Sequence, residues 1–336
     1  MALTVNYNEE GIADSVPTYL FDQAEQYREN PRDAALEWFT SAIQGLSLHF
    51  GLASLLGKGE EVPADLLTPE QYAKLPERFY CKNFDAVDIV ELAVAAGARY
   101  VVFPATLPDG FCLYHSQSSD FHTVNSAANR DLVGELASTC EYHGIGLFLE
   151  YPFGRNQRRH PQGVPQGVMA QSEYLDFVKG QLHELLTQYG PVAGIRFTGA
   201  ESLQGREAPY DLEDLYKLIR FLQPNALVSF QEGYAGSEDF LTAGDLSSTK
   251  GLLASNATRP LEMQRILSGG ADRCYYPELA GSHRKTDQIW EDLRVAHQRS
   301  ANLLVNTALM PDGSLDLEDI QNLLAVGERM EKEGRP

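Results

Sequence analysis

No run of about 18 apolar residues occurs anywhere in this 336-residue chain, so nothing in it is expected to span a bilayer. Positive charge is scarce: 27 Lys and Arg stand against 47 Asp and Glu, a formal net charge of −20. Nucleic acids require a basic face and anionic membranes a polybasic one, so neither is an expected partner. Cysteine is scarce as well. The four present (Cys81, Cys112, Cys140, Cys274) include no C-x-x-C pair and suit buried free thiols better than a disulfide framework. The opening "MALTVNYNEEG" lacks a positive n-region and an apolar h-region, so no signal peptide is expected and the cytoplasm is the default location. Phosphate-loop, G-x-S-x-G and H-E-x-x-H motifs are missing, and the eight histidines contain no i, i+4 pair. No cofactor and no metal are therefore expected.

What the chain does contain is alternation. Short β-branched and aromatic runs are predicted as strands at Leu46–Phe50, Arg99–Pro104, Ile145–Tyr151, Ala193–Thr198 and Ala226–Gln231. Between them lie helical patterns such as "DAVDIVELAVAAGA", "RDLVGELASTCEYHG" and "SEYLDFVKGQLHELLTQYG", the last opening on Ser172 as a capping residue. A further pair follows, "DQIWEDLRVAHQRS" and "ANLLVN". Strand and helix in turn, with no linker, predict a parallel sheet wrapped by helices. A single α/β domain of the (β/α)8 TIM-barrel type suits this length, with a doubly wound open sheet as the alternative. The segment Asn156–Ala170, rich in Gly, Pro and Gln, is expected as a loop over the carboxyl face.

In such a barrel the residues at strand ends converge on one pocket. They are His49 and Phe50, then Asp109, then Glu150 and Tyr151, Thr198 and Glu201, Gln231 and Glu232, with Glu278 at the end of "CYYPE" as a further candidate. Several acids aimed at one cleft suit glycoside hydrolysis, where one carboxyl protonates the leaving oxygen and a second attacks or activates water. Loops are polar anyway, so each of these acids also has a bland reading as a solvated strand end.

The segments "LSLHFGL", "FDAVDIVELAVAAGARYVVFPA", "DGFCLYHSQSSDF", "RDLVGELASTCEYHGIGLFLEY", "FVKGQLHELLTQYGPVAGIRF" and "ANLLVNTALMPDGSLDLEDIQNLLAVGERM", in this order, resemble the α-L-fucosidases of glycoside hydrolase family 29. The resemblance runs from about Trp38 to about Met330. It implies the family's barrel, with residues 1–37 as an N-terminal extension and no β-sandwich after Met330. It also implies that His49 and Tyr151 contact the sugar. Departures are specific. The family's "KHHDGF" is "TLPDGF" here, so its two sugar-holding histidines correspond to Leu107 and Pro108, while Asp109, Gly110 and Phe111 persist. The nucleophilic aspartate falls on Thr198, an arginine on Glu232, and the acid/base glutamate on Gly244 beside Asp245. A threonine hydroxyl with no base beside it is a far weaker nucleophile than a carboxylate.

Two functions follow. One is a divergent glycoside hydrolase acting through relocated carboxylates, Glu201 and Glu232, with Glu150 in reserve. The other is a non-catalytic carbohydrate-binding or regulatory barrel. In both, His49, Phe50, Asp109, Tyr151 and Thr198 are the expected carbohydrate contacts, with Phe111 and Tyr234 as further stacking candidates.

Overall fold

The computed structural model describes residues 15–59, 66–154, 168–199, 212–231, 233–243, 258–269 and 273–336, apart from the side chains of 168–170. Eight parallel strands form one sheet in the order β5-β4-β3-β2-β1-β8-β7-β6. They are β1 (Gln44–His49), β2 (Tyr100–Pro104), β3 (Gly146–Pro152), β4 (Gly194–Thr198), β5 (Leu227–Phe230), β6 (Leu241–Ala243), β7 (Leu261–Ile266) and β8 (Ala301–Ala308). The ring is drawn together between β5 and β6 by the Asp239 N–H donating to the Val228 carbonyl at 2.7 Å and that of Thr242 to the Gln231 carbonyl at 2.8 Å. This is the (β/α)8 barrel the alternation predicts.

Helices cover the outside: α1 (Ala24–Glu29), α2 (Pro31–Ser41), the single turn α3 (Pro69–Tyr72), α4 (Ala86–Ala95), α5 (Leu132–His143), α6 (Val168–Gln188), α7 (Leu212–Leu222), α8 (Thr286–Gln298) and α9 (Leu317–Glu333). Side-chain oxygens open several of them. Asn30, Asp85, Asp131 and Asp316 accept backbone N–H groups at the starts of α2, α4, α5 and α9. Gly144 closes α5 in the left-handed region, φ 66°. Ser172 does not cap α6, because the helix already runs from Val168. Residues 168–170 are therefore helical rather than part of the predicted loop, and the rest of that loop from 156 lies outside the described residues.

Period-2 alternation splits the core in two. Leu46, Leu48, Phe50, Val101, Phe103, Leu147, Leu149, Tyr151, Ile195 and Phe197 belong to the layer between strands and helices. Tyr100, Val102, Phe148, Leu227, Phe240 and Leu304 fill the barrel floor together with Trp38 and Phe39 from α2. Two glycines make room for those rings. A Cβ on Gly146 would lie 2.4 Å from the Trp38 ring, and one on Gly45 2.1 Å from Tyr100. The N-terminal Tyr19, Leu20 and Tyr27 are buried in the same floor cluster.

Candidate active site

A charged level sits on the aromatic floor. Arg196 of β4 reaches Glu262 of β7 at 2.6 Å, and the Tyr100 hydroxyl donates to the same carboxylate at 2.6 Å. Strands β4 and β7 are not neighbours, so this pair meets through the interior. Both side chains are essentially sealed from solvent, 3% and 0% exposed.

Glu150 is the β3 register partner of Arg196, two residues beyond the buried Phe148 and therefore inward-facing. Arg273, from the connection after β7, grips it with both guanidinium arms at 2.7 and 2.6 Å. Burial pushes the Glu150 carboxyl up, but the Arg273 charge and hydrogen bonds overrule it, with Arg196 and His49 adding to them. The net result lies below the ordinary carboxylate value, so Glu150 is a fixed anion. A general acid needs the opposite shift. Glu150, expected as a reserve catalytic carboxylate, is held here as the ion-pair partner of Arg273.

His49 ends β1 with its side chain buried, and its carbonyl accepts the Leu309 N–H at 2.9 Å. Thr198 ends β4, half-buried on the inward register of Arg196 and opposite Pro152 of β3. Gly199 follows at φ 92°, the left-handed turn that halts the strand. Glu201, Glu232, Gly244 and Asp245 lie outside the described residues.

Other expected contacts fall elsewhere. Phe50 is fully buried against Phe79 and Phe84, with ring centroids 4.9 and 6.3 Å away, in the layer outside the barrel. Tyr151 likewise points outward, and its hydroxyl donates to Gln181 of α6 at 2.7 Å. The alternation that aims Glu150 inward turns Tyr151 out. Asp109 is half-buried in a turn, taking the Phe111 N–H at 2.8 Å and the Tyr72 hydroxyl at 2.5 Å. Phe111 packs between Phe79 and Phe121, and Tyr234 lies on Phe230. These residues hold the walls of the site rather than its opening.

Leu107 and Pro108 are both buried, and Leu107 fills the space above Gly51, where a Cβ would meet its Cδ1 at 2.0 Å. Two positions that could have held sugar hydroxyls are thus apolar packing. Burial pushes the Cys81 thiol up to about 12 and raises Cys112 and Cys140 too, so none of these three is a thiolate nucleophile near neutral pH.

The family model "Alpha-L-fucosidase" matches residues 19–335. Among curated relatives, "Alpha-L-fucosidase 1" of Arabidopsis thaliana is 30% identical over 162 residues, 47% of this chain and 30% of that protein. "Putative alpha-L-fucosidase 1" of Oryza sativa is 30% identical over 208 residues, 60% of this chain and 36% of that protein. The chain thus spans about a third of the length of these relatives. The solved structure of an alpha-L-fucosidase from Lactobacillus casei in complex with alpha-L-fucose product is similar at TM-score 0.73 and 24% identity, covering 90% of this chain and 99% of that one. Alpha-L-fucosidase isoenzyme 1 from Paenibacillus thiaminolyticus gives TM-score 0.74 and 24% identity over 90% of this chain and 77% of that one. At such identity these two likenesses speak for the barrel.

Proposed function

This chain belongs to the alpha-L-fucosidase family, and on that premise we propose that its barrel binds a carbohydrate at the carboxyl ends of the strands without performing the ordinary α-L-fucosidase reaction. The observation that carries this reading is the state of Glu150. Glycoside cleavage needs one carboxyl poised to give a proton and a second free to attack or to activate water. Thr198 supplies neither, and Glu150 is tied on both oxygens to Arg273. Glu262, the other carboxylate on an inward-facing strand position, is committed to Arg196 and Tyr100.

A second reading, a divergent glycoside hydrolase using Glu201 and Glu232, is favoured by one feature of the sheet. Strands β4 and β5 are neighbours in register from Gly194↔Leu227 to Phe197↔Phe230, so they end level with each other. Glu201 follows the first three residues after Thr198, and Glu232 follows the second directly after Gln231. Acids mounted just past two adjacent strand ends can face one cleft. A separation of about 5–5.5 Å would suit a retaining pair and about 6.5–9.5 Å an inverting one.

One set of assays separates the two. With 4-nitrophenyl α-L-fucopyranoside, turnover is expected at ~10⁻³ or less of that of a family member bearing the aspartate, and Thr198→Ala should leave it unchanged. Brisk turnover abolished by Thr198→Ala would sink the first reading. A panel of other aryl glycosides then tests the second. Any hydrolysis found there should fall by several powers of ten in Glu201→Gln and in Glu232→Gln, and a pair of fully active variants rules that reading out.

A further inference from the structure

Strands β3 and β7 are four steps apart in either direction round the ring of eight, so they stand on opposite walls. The Glu150–Arg273 pair links β3 to the connection that follows β7, and Glu150 is the register partner of Arg196 on β4. The two partners are not equally presented: the Arg273 side chain is 18% exposed and that of Glu150 6%. The carboxylate is the more deeply buried anchor, and the guanidinium is the more exposed of the two groups.

We propose that Arg273, held in one orientation by Glu150, is a substrate-binding residue that reads adjacent hydroxyls of an uncharged sugar, and that Glu150 is its positioning residue. This rests on the carbohydrate-binding reading above and names a contact for it. A guanidinium carries its N–H donors in a rigid planar fork, and locking one edge on a carboxylate fixes where the other edges point. Vicinal hydroxyls offer two closely spaced acceptors in a matching plane. An acidic sugar is the poorer match. Among the described interior groups Arg196 and Arg273 are balanced by Glu150 and Glu262, and the whole chain carries −20, so no surplus positive charge attracts an anion. The apolar Leu107 and Pro108 give the same conclusion from the other side. With histidines absent from those positions, hydroxyl recognition must come from another polar group.

The experiment is calorimetric titration of the full chain with methyl glycosides of L-fucose, D-galactose, D-glucose, D-mannose and D-xylose, and with the glucuronide and 3-O-sulfo derivatives. Wild type is expected to bind an uncharged glycoside and to bind its charged counterparts no more tightly. Arg273→Lys keeps the charge but loses the fork, and should weaken binding about tenfold or more. Glu150→Gln, which preserves the shape of the anchor, should weaken it by a smaller factor and serves as the second variant if Arg273→Lys fails to fold. The decisive readout is the set of monodeoxy analogues of the bound glycoside. Wild type should discriminate against the analogue lacking a contacted hydroxyl, and Arg273→Lys should lose that discrimination, which a merely structural role would not produce. Folded variants with wild-type affinity and discrimination, or tighter binding of the sulfated sugar, overturn the assignment of Arg273 alone. If wild type binds no glycoside in the panel, the carbohydrate-binding reading falls, and this inference with it.

Discussion

At the residue scale the interior is governed by paired charges that cannot be parted cheaply. Glu262 is ion-paired with Arg196 and takes the Tyr100 hydroxyl in a site closed to water. Removing one partner leaves a buried uncompensated charge, which costs far more than the pair's net stabilisation. Arg196→Met is therefore expected to lower unfolding free energy by about 3–5 kcal/mol, read as a shift of the urea midpoint. Tyr100→Phe, which removes only a neutral donor, should cost about 1–3 kcal/mol. If the two variants cost the same, the ion pair weighs no more in the fold than a neutral hydrogen bond. The inward positions of these residues were open to sequence reasoning, since strand alternation places His49, Glu150 and Thr198 on the pocket side. The same alternation, carried one step further, puts Phe50 and Tyr151 on the helix side, where the structure has them. Arg273 was not legible. Its partner lies 123 residues away, and an arginine three residues after "SGG" carries no local signal of a reach across a barrel.

At the element scale the strands announced by β-branched and aromatic runs were legible to within about two residues, because burial on both faces leaves a continuous apolar signature. Strands β6 and β7 were not. The first is three residues long, and the second, "LEMQRI", carries Glu262 inward and Arg265 toward Asp292 of α8. Its pattern is polar because the interior it faces is polar. The connection from β7 to α8 is pinned at its far end by His283, whose Nδ1 lies 2.7 Å from Asp319 of α9, while that carboxylate's other oxygen takes the Thr307 hydroxyl at 2.6 Å. The hydrogen bond to Asp319 raises the His283 pKa, burial opposes it, and the charges of Asp319, Asp316 and Glu318 reinforce it. The sign follows from linkage. A raised folded-state pKa gives stability that is whole below the usual histidine value of about 6.5 and is lost as pH rises through the folded value. Wild type should therefore lose stability on that alkaline side, and His283→Gln should flatten the dependence there. Glu150 contributes with the opposite sign, its share being lost as pH falls through its depressed value. A His283→Gln variant whose midpoint tracks wild type from pH 6 to 9 would show that the pair does not report on folding.

At the scale of the whole molecule, the barrel floor is completed by Trp38 and Phe39, where the family resemblance begins, and by residues before them that sequence reading set aside as an extension. Helix α2 sends Trp38 and Phe39 between Tyr100, Phe148 and Phe240, with the Trp38–Phe148 rings stacked at 6.3 Å and Phe39–Phe240 at 4.2 Å. The residues before it are equally committed. Tyr19 lies 4.6 Å from the Trp38 ring, accepts an amide N–H of Asn225 at 3.0 Å, and Thr18 donates its hydroxyl to the Glu141 carbonyl. Strands β1 and β3 carry glycine at 45 and 146, and at Gly146 the space a strand side chain would take is filled by the Trp38 ring. The family match beginning at residue 19, and not at 38, agrees with the packing. Deleting residues 1–37 should thus remove Tyr19, Leu20 and Tyr27, all buried, together with Ala34 and Ala35 of α2. Each lost aromatic leaves a cavity worth about 3–5 kcal/mol, and with Leu20 at about 2–5 kcal/mol their sum is comparable to the usual total stability of a domain, about 5–15 kcal/mol. The shortened chain is expected to be insoluble or to lack a cooperative unfolding transition. Trp38→Ala in the full chain is the graded version, with an expected loss of about 3–5 kcal/mol. A cooperative, sugar-binding barrel obtained from residue 38 onward would mean that the eight strands close over a floor of their own, and the dependence on the N-terminal segment would have to be given up.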